Sequence, residues 1–226
     1  MSNSLLRILS GFITTGLMFV STAQVQAEEM DMAQMLKTID QRLHNDTARQ
    51  SAIEDGKDRA LLCKYCHGGD GNSLKPDVPN LAGQNASYLL EQIDKFATRK
   101  RDDFVMSPLA ADFSAEDKVN LAIFYYSMPV KVKAVDAALA AKGKTLFTSV
   151  CSNCHGPQGH GNQKLARLAG QQTVYVSNVL KTFRTNANDP AAKKAASRQS
   201  DIMEGVAKDL SDEQIEAVAA YVTQLP

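Results

Sequence analysis

The feature that most constrains the fold is a five-residue pattern, Cys-x-x-Cys-His, that occurs twice. Its copies span residues 63–67 and 151–155, and together they contain all four cysteines of the chain. Each copy is followed by a glycine-rich loop. The fold must bring two thiols and one imidazole together in each copy, so the sequence predicts two sites with the same chemistry.

Closely spaced cysteines serve several kinds of chemistry, and their spacing distinguishes these. Two disulfides are the default in an exported protein, and two cysteine pairs can also hold zinc. Zinc ribbons separate their pairs by about 15 to 20 residues, whereas 84 residues lie between Cys66 and Cys151. A thioredoxin-like redox motif needs no histidine and is not expected twice. Cys-x-x-Cys-His is instead the attachment signature of c-type haem.

This signature suits haem because two thiols three positions apart can each add to one vinyl group of the porphyrin edge. The next residue is then held under the iron, where its imidazole can be the proximal ligand. We therefore predict two covalently bound haem c groups. One is attached to Cys63 and Cys66 with His67 on its iron, and the other to Cys151 and Cys154 with His155.

The two motifs belong to a longer internal repeat. Leu-Ala-Gly-Gln at 81–84 recurs at 168–171, an offset of 87, and the segment 106–129 aligns with 203–226 at an offset of 97. The second copy therefore carries ten extra residues in a polar stretch before its methionine. An internal repeat predicts a repeated structural unit.

Helical signals dominate each copy. A helix leads into each cysteine motif, a second begins near Ser87 or Thr173, and a closing helix begins at the N-cap residue Ser114 or Ser211. Neither copy has a convincing strand, so we predict an all-α fold with two tandem helical domains, each around one haem. The predicted boundaries are 1–27 for a signal peptide, 28–50 for a helical extension, 51–130 for the first domain, 131–140 for a linker and 141–226 for the second domain.

The repeat also pairs two methionines, Met106 and Met203, which we predict as the sixth ligands of the two irons. A thioether sulfur favours Fe(II) and leaves no open position for a substrate, which suits an electron carrier. We assign Met128 to the core and His44 and His160 to the surface.

The first 27 residues have the layout of a cleaved secretory signal, with Arg7, an apolar run of 13 residues and a small-residue end at Ala27. A retained anchor is the alternative, but a membrane span needs about 20 residues. We predict an exported, periplasmic protein without a later transmembrane segment, and membrane association stays open. Five apolar residues of the extension share a helical face that predicts docking on the body or on a partner: Met32, Met35, Leu36, Ile39 and Leu43.

These motifs resemble those of class I cytochromes c, and their tandem arrangement is similar to the dihaem cytochrome c4 family of bacterial periplasms. The resemblance spans about Gly56 to Pro226 and includes both haem motifs, the LAGQ-x-x-x-Y segments, the paired methionines and the closing helices. It implies two class I cytochrome c domains related by a pseudo-twofold axis. It also implies electron transport with membrane respiratory complexes, from a quinol-oxidising donor to a terminal oxidase.

Two departures from the family pattern fall in the second copy. A proline carbonyl commonly accepts the N–H of the proximal histidine, and Pro79 fits, but Ala166 occupies the second position. An arginine is usual between the aromatic residue and the methionine. Arg101 matches it, whereas we align Asn188 with this position in the second copy. These differences predict unequal haem environments and unequal reduction potentials.

Charge is distributed unequally along the chain. Residues 28–130 contain 12 basic and 17 acidic side chains, and residues 131–226 contain 12 basic and 8 acidic ones. Such asymmetry can orient encounters with redox partners. No basic stretch interleaved with aromatic residues indicates nucleic-acid binding.

The sequence therefore predicts a periplasmic dihaem electron-transfer protein rather than an enzyme. One alternative is the cytochrome subunit of a periplasmic dehydrogenase that oxidises, for example, sulfide or an alcohol, with the extension as the docking element. A dihaem peroxidase is a second alternative, but it needs one haem with an open or switchable position, and the paired methionines weigh against it.

Overall fold

The computed structural model describes residues 30–195 and 198–226, so the predicted signal peptide lies outside the described residues. Within these two ranges the secondary structure is helical, and the β-structure consists of one isolated bridge between Asn162 and Leu165. The predicted all-α fold is confirmed. Across the same ranges, no helix combines the length and hydropathy needed to cross a bilayer.

The first half of the described chain contains α1 (Met32–Leu43), α2 (Asp46–Arg59), α3 (Lys64–His67), α4 (Ala86–Ala97), α5 (Met106–Ala111) and α6 (Ala115–Tyr126). The second half contains α7 (Ala137–Leu146), a π-helical turn (Phe147–Cys151), α8 (Ser152–His155), α9 (Thr173–Asn188), α10 (Pro190–Ala195), α11 (Asp201–Ala207) and α12 (Asp212–Thr223).

A close helix pair forms the frame of each half. Helix α2 packs on α6 in the first half, and α7 packs on α12 in the second. A glycine lies at each contact: a Cβ on Gly56 would be 2.3 Å from the Asn120 carbonyl oxygen, and one on Gly143 would be 1.9 Å from that of Ala217. Because no side chain fits there, the glycines allow the two backbones to approach directly.

The closing helices begin where the sequence predicts. Ser114 and Ser211 are N-caps that accept hydrogen bonds from the N–H groups of Asp117 and Gln214, respectively. Both form complete capping boxes, so Asp117 performs the role that glutamate or glutamine usually has. These caps fix the start of α6 and α12, the helices that pack on α2 and α7.

The amino-terminal helix α1 packs on the first half. Met35 and Ile39 are buried in the core that includes α6 and α4. Arg42 donates a 2.6 Å hydrogen bond to Asn120 Oδ1 and forms an ion pair with Glu116. The sequence predicts that this apolar face docks either on the body or on a partner, and the structure shows it docked on the body.

The two halves meet through their Leu-Ala-Gly-Gln segments. Gly83 and Gly170 have φ angles of 64° and 73°, and Val130 lies between them. A Cβ on Gly83 would be 2.4 Å from one Val130 methyl carbon, and one on Gly170 would be 2.3 Å from the other. Val130 therefore packs against equivalent glycines of the two halves, and both glycines are needed for its close packing.

The helix pair of the second half predicts a test of fold stability. Gly143→Ala should lower the free energy of unfolding by about 1–3 kcal/mol, because the added methyl group collides with the backbone of α12. Gly205→Ala is the matched control, since no atom outside its own helix lies within 4 Å of the added carbon. Denaturant unfolding of the holoprotein measures both, and equal effects would contradict the close-contact explanation.

Candidate haem-binding sites

Each predicted proximal histidine donates a hydrogen bond to a backbone carbonyl. His67 Nδ1 lies 2.9 Å from the Pro79 oxygen, and His155 Nδ1 lies 2.9 Å from the Ala166 oxygen. A carbonyl oxygen can only accept, so Nδ1 carries the proton and Nε2 keeps the lone pair that an iron ligand needs. The departure at Ala166 therefore leaves this contact intact in the second half.

Burial also keeps both imidazoles in the ligand form. Desolvation lowers the pKa of His67 and of His155, and the carbonyl hydrogen bond opposes it only in part. The neutral rings are therefore favoured at neutral pH, and a neutral imidazole is the form that binds iron.

The first cysteine of each motif has a raised pKa. Burial raises the pKa of Cys63 and raises that of Cys151 to about 11, so the protonated thiol is the favoured form of each free side chain at neutral pH. The four cysteines are free of disulfides. Among residues 30–195 and 198–226, no group of three or more histidine, cysteine or acidic side chains is arranged to hold a metal ion.

One cavity of about 740 Å³ runs along both motifs. His67, His155, Met106 and Met203 all line it, together with the cysteines of both motifs and mainly apolar side chains. Its volume and apolar character are typical of cofactor sites. The structure thus brings every predicted ligand residue to one cavity, while His160 lies outside it with Nε2 2.8 Å from the Pro226 oxygen.

Two arginines line the cavity at equivalent places in the two halves. The Arg101 guanidinium lies 4.4 Å from the Phe96 ring centre, and the Arg198 guanidinium lies 5.7 Å from that of Phe183. Our alignment of Asn188 with Arg101 was therefore wrong. Both arginines precede their methionine by five residues, and the ten extra residues shift Arg198 beyond the position that the offset of 87 indicated.

Arg198 joins the two halves, and both arginines fit a bound haem. Arg198 donates to the hydroxyls of Tyr175 at 3.0 Å and Tyr88 at 2.5 Å, and Arg101 donates to Gln92 at 2.9 Å. Within the described part of the chain neither arginine forms a salt bridge, and the buried Arg101 Nε has no hydrogen-bond partner. Desolvated guanidinium groups favour anionic partners. The propionate carboxylates of haem supply such partners, so an apolar cavity edged by these cations fits the group.

In each half, the residue that follows the methionine stabilises the methionine's helix through a hydrogen bond. Ser107 Oγ accepts the Asp103 N–H at 2.9 Å, and Glu204 Oε1 accepts the Ser200 N–H at 3.1 Å. Glu204 also forms a 2.7 Å ion pair with Lys193 of α10. The ten-residue insertion therefore supports the Met203 helix, a contact for which the sequence offered no local signal.

Comparisons with known proteins agree with this geometry. The sequence model of the family described as Cytochrome c matches residues 140–226. A cytochrome c4 from Thiocapsa roseopersicina is 36% identical over 177 residues, covering 73% of this chain and 87% of the relative. A thiosulfate dehydrogenase electron acceptor from Stutzerimonas stutzeri is 32% identical over 72% of this chain and 78% of its own. The crystal structure of reduced recombinant cytochrome c4 from Pseudomonas stutzeri matches with a TM-score of 0.67 and 31% identity, covering 77% of this chain and 98% of that one.

Fold, motifs and comparisons define a c-type cytochrome that carries electrons. More narrowly, the chain belongs to the cytochrome c4 family. Proteins of this family hold two covalent haem c groups in tandem class I domains and are electron-transfer proteins, not enzymes. The predicted fold class and cofactors are thereby confirmed, while the residue-level ligand assignments stay predictions.

The support of the Met203 helix yields a second test. Glu204→Ala should lower the free energy of unfolding by about 1–3 kcal/mol, because it removes the acceptor of the Ser200 N–H and one of the two acceptors of the buried Asn186 amide. Asp201→Ala is the control, since Asp201 pairs with the same Lys193 from an exposed position and its loss should matter less. Thermal unfolding of both variants measures the difference, and a larger effect of Asp201→Ala would contradict the role given to Glu204.

Proposed function

We propose that this chain is a periplasmic dihaem carrier that passes electrons from a quinol-oxidising complex toward a terminal oxidase. The observation that carries the proposal is the lining of the cavity, where His67 and Met106 of one half accompany His155 and Met203 of the other. With one histidine and one methionine on each iron, neither iron has an open position for a substrate. The predicted leader sequence supports export to the periplasm.

In this proposal the chain attaches the two cofactors, orients them and tunes their potentials. When bound, each haem supplies an iron that alternates between Fe(II) and Fe(III). The porphyrin edges would be held by Cys63, Cys66, Cys151 and Cys154. The Nδ1–H bonds of the two histidines fix the direction of each Nε2, and Arg101 and Arg198 offer positive charge to the propionates.

The two halves present different surfaces beside their haem motifs. Leu61, Leu62 and Tyr65 are 57%, 61% and 71% exposed around Cys63. The equivalent positions in the second half, at an offset of 88, hold Ser149, Val150 and Asn153. Together with the opposite net charges of the two halves, this asymmetry supports different partners for each half, with an apolar contact at the first.

A second candidate function is the electron acceptor of a periplasmic dehydrogenase. A relative of this chain is described as a thiosulfate dehydrogenase electron acceptor, and this similarity favours the second candidate. The amino-terminal extension does not add support, because α1 already packs its apolar face on the first half.

Ligand binding tests the proposed carrier. The reduced wild-type protein should contain two haems per chain and leave its absorption spectrum unchanged under carbon monoxide, because both irons have two protein ligands. Met106→Ala and Met203→Ala should each open one iron to carbon monoxide. Binding by the wild-type protein would contradict a closed dihaem carrier, and Met128→Ala controls for the loss of a core methionine.

Electron donors distinguish the two candidates. The oxidised protein is mixed with either a quinol-oxidising complex and quinol, or thiosulfate dehydrogenase and thiosulfate, and reduction of its haems is followed by absorbance. Faster reduction by the quinol complex supports the respiratory carrier, and faster reduction by the dehydrogenase supports the alternative. Leu61→Ser/Leu62→Ser should slow the partner that docks on the first half about tenfold, equivalent to about 1.4 kcal/mol, whereas Val150→Ser should not.

A further inference from the structure

Two buried glutamines form reciprocal hydrogen bonds across the interface between the halves. Gln84 Oε1 accepts the N–H of Arg167 at 2.7 Å, and its Nε2 donates to the Arg167 carbonyl at 2.9 Å. In the same way, Gln171 Oε1 accepts the N–H of Asn80 at 2.7 Å, and its Nε2 donates to the Asn80 carbonyl at 3.0 Å. Each glutamine therefore bonds to the backbone N–H and the backbone carbonyl of one residue in the opposite half.

Each glutamine is itself held in place. Gln84 Oε1 also accepts the N–H of Asn85 at 3.0 Å, and Gln171 Oε1 accepts that of Gln172 at 2.9 Å. Both side chains are buried. A buried amide with both of its polar ends bonded has one favoured orientation, so these contacts are fixed features of the interface.

The N–H groups that the glutamines hold belong to the peptide groups that orient the haem ligands. The Ala166 carbonyl and the Arg167 N–H are two ends of one peptide group, so one end accepts from His155 and the other donates to Gln84. In the first half, the same arrangement joins His67, the peptide group between Pro79 and Asn80, and Gln171.

We propose that Gln84 is a positioning residue for His155, and Gln171 for His67, so that each half sets the proximal ligand of the other half's haem. The inference rests on the haem assignment of the proposed function. Hydrogen bonds in a chain polarise one another, so the peptide N–H donating to glutamine makes its carbonyl a stronger acceptor. A stronger acceptor makes the imidazole a more basic ligand, which stabilises Fe(III) and lowers the reduction potential.

Paired substitutions test this crossed relation. Gln84→Met keeps the side-chain length but removes both bonds to Arg167, and Gln171→Met does the same to Asn80. Each serves as the matched control of the other, because both remove equivalent interface bonds. In the two-haem holoprotein, Gln84→Met should raise the potential of the haem attached to Cys151 and shift the ring-proton NMR signals of His155. Gln171→Met should do the same for the haem attached to Cys63 and for His67.

The outcomes separate the inference from the function on which it rests. Effects on the haem of the same half, equal effects on both haems, or no effect would overturn the crossed relation. Gln84→Glu provides a second variant that keeps an oxygen to accept the Arg167 N–H, so the potential of the Cys151 haem should not rise. A rise there would also contradict the inference. A wild-type protein with fewer than two haems would instead overturn the proposed function.

Discussion

The hydrogen bond from each histidine Nδ1 to a backbone carbonyl connects the haem sites with the architecture. It leaves Nε2 as the only ring nitrogen available to iron, and in both halves the carbonyl lies two residues before a Leu-Ala-Gly segment. These same segments form the contact between the halves, where Val130 fits between two glycines. The interface and the proximal ligands are therefore parts of one continuous structure, so a change in one is expected to reach the other.

The repeated halves share a frame but differ in detail. Both use a glycine contact between the helix that precedes the cysteine motif (α2 or α7) and the closing helix (α6 or α12), which leaves little freedom for divergence there. They differ in what holds the methionine helices: Ser107 bonds to Asp103 in the first half, whereas Glu204 pairs with Lys193 of the insertion in the second. These differences support the expectation of unequal reduction potentials. The presence of Ala166 in place of a proline does not, since the histidine bond has the same length in both halves.

Local signals made much of the fold predictable from the sequence. The Cys-x-x-Cys-His motifs, the closing-helix caps and the helical periodicity depend on neighbouring residues, and the structure places them as expected. Contacts between distant residues were not predictable in this way. Arg198 was missed because the insertion changes the repeat offset, and the Gln84 and Gln171 contacts join residues 83 and 91 positions apart. The choice of docking surface for α1 likewise depended on a face of α6 that only the folded chain presents.

The central claim is that the cavity holds two irons, each between one histidine and one methionine. The most direct measurement is the proton NMR spectrum of the reduced holoprotein, in which a methionine methyl group bound to low-spin haem iron is shifted far upfield. The account predicts two such methyl signals, one absent in Met106→Ala and the other absent in Met203→Ala. A single signal, or two signals that survive either substitution, would contradict it.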